Sequence, residues 1–305
     1  MPTIKVPYVS DEFYFVSCNA REEWLAERRK YITASDCYDA INNPLAVYVK
    51  KLVDLQFEPT ERMEFGAKVE TIVREIYVSK TGRPVYYPGP HVLAVSKKYP
   101  WLACSLDGLI VDGNCVAGLP LGVYEGKANT VFRAHEWDGD VPERYKWQGM
   151  AAMAVTGLPY CGFACLLDME VVANDVHRND AAVEFLLERT LDLWNRIEAK
   201  EPPPVNGTEV TAKALKALYP DDNGATVELP ELQAHSYYQK LCDLKEEIKT
   251  LEGESQAIEN WFRAEIGDAT FGVFADKQAS LKTTVRKAYE VAESKYRQLR
   301  FKVEQ

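Results

Sequence analysis

Between Thr60 and Lys200 the apolar residues change their spacing several times, and the order of those changes restricts what this chain can fold into. Thr60 can cap a helix running to about Ser79, with Phe65, Val69, Ile72, Val73 and Ile76 on its buried face. Gly82 ends it. From Pro84 to Lys127 the pattern becomes one of strands: Val85–Tyr87, Val92–Val95, Trp101–Val111, a turn at Asp112-Gly113, then Val116 and Val123–Lys127. Pro142 to Val155 reads as a helix, Tyr160–Leu167 and Glu170–Val176 as a hairpin, and Ala181–Lys200 as a further helix. Such an alternation suits neither an all-helical nor an all-strand core.

Upstream, residues 20–30 and 34–42 read as two short helices. Thr33 or Ser35 can cap the second, and Pro44 opens another at its first turn. Downstream, Glu201-Pro202-Pro203-Pro204 marks the clearest boundary. The spacing divides the chain into a core over 1–200, a linker over 201–227 and a C-terminal extension over 228–305. In that extension Leu229–Ile266 has helical spacing with alternating charges, suited to packing on one side against a neighbouring subunit. Phe271–Phe274 and Ser280–Val285 are expected to pair as a terminal hairpin.

No stretch reaches the roughly 20 apolar residues of a membrane span, and the first residues lack the apolar run of a signal peptide. The seven cysteines form no CxxC pair and sit mostly in apolar contexts, as expected for buried free thiols in a reducing cytoplasm. The net charge of −10 argues against nucleic acid as a partner, but the charge is unevenly spread. From Asp276 to Gln305 eight basic residues face four acidic ones, so the tail carries +4 and the preceding residues −14. A basic extension on an acidic body can hold a phosphate backbone or be a solvated face.

Within the strand block, Glu125-Gly126-Lys127 ends an apolar strand. Side chains alternate along a strand, so Glu125 and Lys127 share a face while Gly126 points away. Asp107, in Ser105-Leu106-Asp107-Gly108, can come beside Glu125 by antiparallel pairing. Glu70 lies in a mostly apolar helix, where an unpaired carboxylate is costly to bury and a metal would remove the cost. Three carboxylates meeting at strand ends make an oxygen-rich nest for a hard divalent cation. Gln148, on the helix after the strand, can face the same cleft. Near the N-terminus, Arg28 and Ser35 beside a helix start offer a pocket for a terminal phosphate. A second Glu-x-Lys, Glu247-Ile248-Lys249, falls in the charged helix and reads as surface.

In order and spacing these residues resemble the phage lambda-type exonuclease, or YqaJ-like viral recombinase, family of PD-(D/E)xK nucleases. The resemblance covers about residues 20–200. It rests on Trp24-x3-Arg28 with Ile32-Thr33-Ala34-Ser35, Gly66-x3-Glu70, Ser105-Leu106-Asp107-Gly108, Glu125-x-Lys127 and Tyr145-x2-Gln148. It implies an α/β, restriction-endonuclease-like core, a mixed central sheet flanked by helices, with a helical C-terminal extension. By the same resemblance, Asp107, Glu125 and the Gly126 carbonyl ligate Mg²⁺, two ions per site, or Mn²⁺ in its place, and Glu70 contributes directly or through water. Lys127 orients or activates the attacking water and Gln148 helps position it. Arg28, Ser35 and Ser105 hold a 5′-phosphate, with Tyr145 also on the DNA-binding side. The implied activity is 5′-to-3′ digestion of one strand of linear duplex DNA in the cytoplasm. It would leave 3′ overhangs for a single-strand annealing protein, and the enzyme would act as a homo-oligomer, a trimeric ring.

The chain departs from the family pattern in two places. Asp107 and Glu125 are 18 residues apart, more than usual, and Asn114–Leu121 is expected to form an enlarged hairpin loop that absorbs the excess. Leu106 replaces a common proline. Two other readings remain at this level: an endonuclease of the same fold, and a non-catalytic DNA-binding assembly protein joined through the 229–266 helix.

Overall fold

The computed structural model describes residues 10–53, 60–113, 119–286, 297, 299 and 301. The expected strand residue Val116, residues 114–118 of the proposed loop and four basic residues of the tail (Lys287, Lys295, Arg300 and Lys302) lie outside this set. The chain divides into two compact units, 1–220 and 221–305.

The first unit opens with β1 (Phe13–Ser17), α1 (Arg21–Arg28) and β2 (Ile32–Thr33). A 3₁₀ turn over Ala34–Asp36 leads into α2 (Cys37–Asn42) and α3 (Pro44–Leu52). Thr33 caps the turn through a capping box closed by Asp36. Helix α4 (Glu61–Thr81) ends at Gly82, whose φ of +68° is the left-handed conformation that glycine adopts freely. Strands β3 (Val85–Tyr86), β4 (Val92–Ser96), β5 (Leu102–Cys104), β6 (Gly108–Val111) and β7 (Pro120–Asn129) follow. After them come α5 (Glu143–Thr156), β8 (Tyr160–Leu167), β9 (Glu170–His177), α6 (Asp180–Ala199) and α7 (Glu209–Leu218).

The strands form two sheets, ordered β1-β4-β5-β2 and β3-β6-β7-β8-β9. Strands β7 and β8 are parallel, joined by the crossover helix α5, and the rest of the five-stranded sheet is antiparallel. The sheet is mixed and covered by helices, an α/β fold. Helices α4 and α5 both pack on β7 and β8.

Three expectations are corrected. Trp101–Val111 is not one strand: β5 belongs to the first sheet and β6 to the second, and Ser105–Asp107 cross between them. Continuous apolar runs on both sides of the crossing conceal it from a pattern reading. The buried face of α4 is centred on Val73 and Tyr77, whereas Phe65 and Ile72 are 55% and 53% exposed. Tyr77 lies four residues beyond Val73, and its ring packs 4.9 Å from that of Tyr124 on β7, turning the helix away from the expected stripe. The interval read as a linker contains α7, which packs on α3 and buries Thr211 and Ala214.

In the second unit, α8 (Glu231–Ile266) carries no buried residue, and β10 (Phe271–Phe274) pairs with β11 (Lys277–Ser280). The return strand thus starts three residues earlier than expected, because the reversal at Ala275-Asp276 is tight and Ala275 takes φ +50°. Among the described residues six cysteines are free, four of them buried, and no helix is long and apolar enough to cross a membrane.

Candidate active site

Antiparallel pairing sets Gly108 of β6 opposite Tyr124 of β7, which brings the preceding Asp107 alongside Glu125 and Gly126. The backbone N–H of Gly126 donates to Asp107 Oδ2 at 3.0 Å. The pair shifts register at Ile110/Val111, where Val111 meets Pro120. That irregularity absorbs part of the long Asp107–Glu125 separation within the described residues.

Glu125 and Lys127 do share a face. Lys127 Nζ donates to Glu125 Oε2 at 2.6 Å and lies 3.6 Å from Asp107 Oδ2. Gln148 Nε2, from α5, donates to the same Glu125 oxygen at 2.7 Å. The Tyr145 ring lies 5.5 Å from Lys127 Nζ and 5.5 Å from the Trp137 ring. Glu125 is wholly buried, and its Oε1 has no hydrogen-bond partner.

Glu70 comes from α4, which packs against the Tyr77–Tyr124 side of β7. It pairs with Arg74 at 3.8 Å, and Arg74 Nη1 in turn donates to the Asp107 carbonyl at 3.3 Å and stacks on Tyr87. Asp107, Glu125, Lys127 and Gln148 therefore form one cluster, with Glu70 beside it through Arg74. Glu70, Asp107 and Glu125 do not close into a ready-made chelate. Among the described residues no three acidic, histidine or cysteine side chains are gathered tightly enough to hold a metal ion. In their present arrangement, Lys127 and Arg74 provide the positive charge that holds these carboxylates together.

The donor set nonetheless fits a hard divalent cation. It offers oxygen ligands only, and the orphaned buried Oε1 of Glu125 is an acceptor that costs free energy until a cation or proton meets it. The electrostatics agree. Burial, then the Asp107 charge, push the Glu125 carboxyl up to about 8 against the pull of Lys127. Burial and Asp107 likewise raise Glu70 to about 7, opposed by Arg74 and Lys127. Burial alone would lower the Lys127 ammonium, but the charges of Glu125 and Asp107 outweigh it and raise it.

These shifts predict a pH signature. A carboxyl near 4.5 when unfolded and near 8 when folded gives the native state an extra proton between those values. Its contribution to stability is complete below about pH 4.5 and is lost as pH rises through 8. With EDTA present, the melting temperature of wild type should fall more between pH 6 and 9 than that of Glu125→Gln. Divalent-cation affinity should rise up to about tenfold per pH unit below 7, as binding displaces a proton. Parallel melting curves for the two proteins would contradict this account.

A second pocket lies next to the cluster. Arg28 stacks 4.6 Å over the Trp24 ring and donates to Ser105 Oγ at 2.7 Å, Ser35 Oγ at 2.7 Å and Thr33 Oγ1 at 3.2 Å. Burial draws the Arg28 guanidinium down, while Asp36, Cys104, Asp107 and Glu125 pull the other way. The structure thus gathers Arg28, Ser35 and Ser105, and the chain crossing Ser105–Asp107 connects them to the carboxylates. Asp36, Lys51 and Arg74 were not anticipated. Arg74 follows Glu70 at i+4, a signal for an ion pair on one helix face. Asp36 stands at capping-box spacing from Thr33. Lys51 gives no local signal.

Residues 23–159 match the model of the YqaJ-like viral recombinase domain. Protein YqaJ of Bacillus subtilis (strain 168) is 25% identical over 279 residues, covering 87% of this chain and 84% of that one. The crystal structure of the alkaline exonuclease LHK-Exo from Laribacter hongkongensis superimposes with a TM-score of 0.50 at 25% identity, over 59% of this chain and 94% of that one. LHK-Exo in complex with dAMP matches with the same score and coverage at 24% identity. The fold, the ordered motifs and these matches agree: residues 23–159 match the YqaJ-like viral recombinase domain of the lambda-exonuclease-like family, on a restriction-endonuclease-like α/β fold.

Proposed function

We propose that the chain is a metal-dependent deoxyribonuclease that digests one strand of linear duplex DNA from its 5′ end, leaving a 3′ single-stranded overhang. The observation that carries this reading is the adjacency of two sites. Lys127 is joined to Glu125 and Asp107, and two residues before Asp107, Ser105 accepts from Arg28. A carboxylate-lysine cluster suits phosphodiester hydrolysis, and a guanidinium framed by hydroxyls suits a terminal phosphate. The likeness to LHK-Exo, an alkaline exonuclease, supports the nuclease half of the reading.

Asp107 and Glu125 would hold divalent cations, Mg²⁺ or Mn²⁺, with Glu70 and the Gly126 carbonyl alongside. Such an ion supplies Lewis-acid charge neutralisation and a more acidic water. Lys127, held against both carboxylates, would be the residue to orient that water or take its proton. Drawing the Glu125 and Asp107 charges away from Lys127 removes what raises its pKa, so its neutral form becomes accessible. Gln148 fixes the Glu125 carboxylate, and Tyr145 walls the lysine. We also propose that the enzyme assembles as a homo-oligomer, a trimeric ring around DNA, and passes its overhang to a single-strand annealing protein.

Digestion of end-labelled linear duplex with Mg²⁺, with and without EDTA, tests the reading. The expected result is metal-dependent loss from the 5′ end while covalently closed circles survive. Cleavage of closed circles would replace it with an endonuclease. Arg28→Ala should slow digestion of 5′-phosphorylated ends by about tenfold or more, through loss of a charge-assisted contact, and 5′-hydroxyl ends far less. Equal losses on both would remove the pocket from the scheme.

A further inference from the structure

The Arg28 pocket rests on a buried ion pair with no hydrogen bond to the carboxylate cluster among the described residues. Asp36 and Lys51 are 1% and 3% exposed and meet at 2.7 Å, and the half-exposed Lys50 reaches the other Asp36 oxygen at 2.5 Å. Asp36 Oδ2 also accepts from the Thr33 backbone N–H at 3.0 Å and from the Thr33 hydroxyl at 2.6 Å. Lys51 Nζ donates to the backbone carbonyl of Arg28 at 3.0 Å.

The contacts close a loop. Lys51 ties the Arg28 backbone to Asp36, Asp36 ties down Thr33, and Thr33 accepts from the Arg28 guanidinium. Because the Thr33 O–H is committed to Asp36, its lone pairs must face Arg28. The carboxylate therefore sets the direction of a hydrogen-bond chain that ends at the guanidinium, and such chains strengthen along their length. A buried ion pair often stabilises a fold no better than apolar residues of similar size, so stability alone is a weak reason for this pair. Lys51 performs a second task. Together with Lys50 it neutralises Asp36, whose charge lies one hydroxyl away from the Arg28 guanidinium and would oppose an incoming phosphate.

We propose that Asp36 and Lys51 are positioning residues that set the affinity of the Arg28 pocket for a terminal phosphate, an inference that rests on the phosphate-pocket reading given above. The test is to measure kcat and KM on linear duplexes with 5′-phosphate or 5′-hydroxyl ends for wild type, Lys51→Met, Lys51→Arg and the double variant Asp36→Asn/Lys51→Met. Lys51→Met should raise KM for phosphorylated ends about tenfold, leaving KM for hydroxyl ends and both kcat values within about twofold. Lys51→Arg, which keeps the charge, should recover most of the loss.

Should Lys51→Met not fold, with Asp36 Oδ2 stripped of its buried cation, the double variant decides. It removes both charges and retains an acceptor for Thr33, so it should fold, but without the Lys51 bond to the Arg28 carbonyl it should lose the phosphate preference. A wild-type preference that persists in the folded variants overturns this inference alone. A wild type indifferent to the terminal phosphate overturns the pocket and, with it, the inference.

Discussion

Lys127→Ala should abolish DNA hydrolysis, lowering kcat by on the order of 10³-fold or more, while affinity for duplex ends changes little. Lys127 is the one cation in contact with both Glu125 and Asp107 among the described residues, and on the proposed reading it would orient the attacking water. Its loss removes that group and also strips the counter-charge from a carboxylate that is wholly buried. Glu125→Ala should be as severe. Its Oε2 gathers Lys127 and Gln148, and its Oε1 is the acceptor that a cation would satisfy. The two losses should not multiply in the double variant, because the residues act as one unit. Single-turnover digestion of labelled duplex, with end binding measured separately in EDTA, reads both quantities. Retained metal-dependent digestion by either single variant would remove the cluster from the chemistry.

Gly108→Ala should cost about 2–3 kcal/mol and displace Asp107 as well. A Cβ at Gly108 would collide with the Val85 Cγ1 methyl and sit 3.2 Å from the Tyr86 carbonyl oxygen and 3.3 Å from Tyr124 Cδ1. The first contact is with a neighbouring strand, so the clash is relieved by moving β3 or β6, and β6 begins at the residue after Asp107. For a unit of this size the melting temperature should drop by roughly 5–10 °C, with digestion falling in the same variant. Gly207→Ala, where a Cβ would meet nothing within 4 Å, is the control and should melt within about 1 °C of wild type. A Gly108→Ala protein with native melting and native activity would show that β3 and β6 can part without moving the carboxylate.

The sequence revealed most where local signals and tertiary packing agreed. Gly82 stops α4 because the turn needs a left-handed residue, and β7, β8 and β9 form where alternating or continuous apolar runs are bounded by turns. The pairing of Glu125 with Lys127 followed from strand alternation alone. What stayed hidden depends on long-range contacts. Nothing local says that Trp101–Val111 changes sheet, since both halves are equally apolar. Phe65 and Ile72 fit a helical stripe as well as Tyr77 does, and only packing against Tyr124 selects the face that is buried. Lys51 looks like any charged residue near a helix end until the fold carries it 15 positions back to Asp36. The short strands β1 and β2 were missed for a related reason, because each is defined by its partner in the first sheet rather than by length.

The crossing at Ser105–Asp107 also acts as a covalent ruler. Two consecutive peptide units extend at most about 7 Å, so the backbone positions that carry the hydroxyl meeting Arg28 and the carboxylate meeting Gly126 cannot drift apart by more than that span. A strand seated by its end would therefore offer the carboxylates its outermost linkage and no other. On the proposed reading, the size of each released fragment is fixed by bonds within the chain, whatever the length or sequence of the DNA.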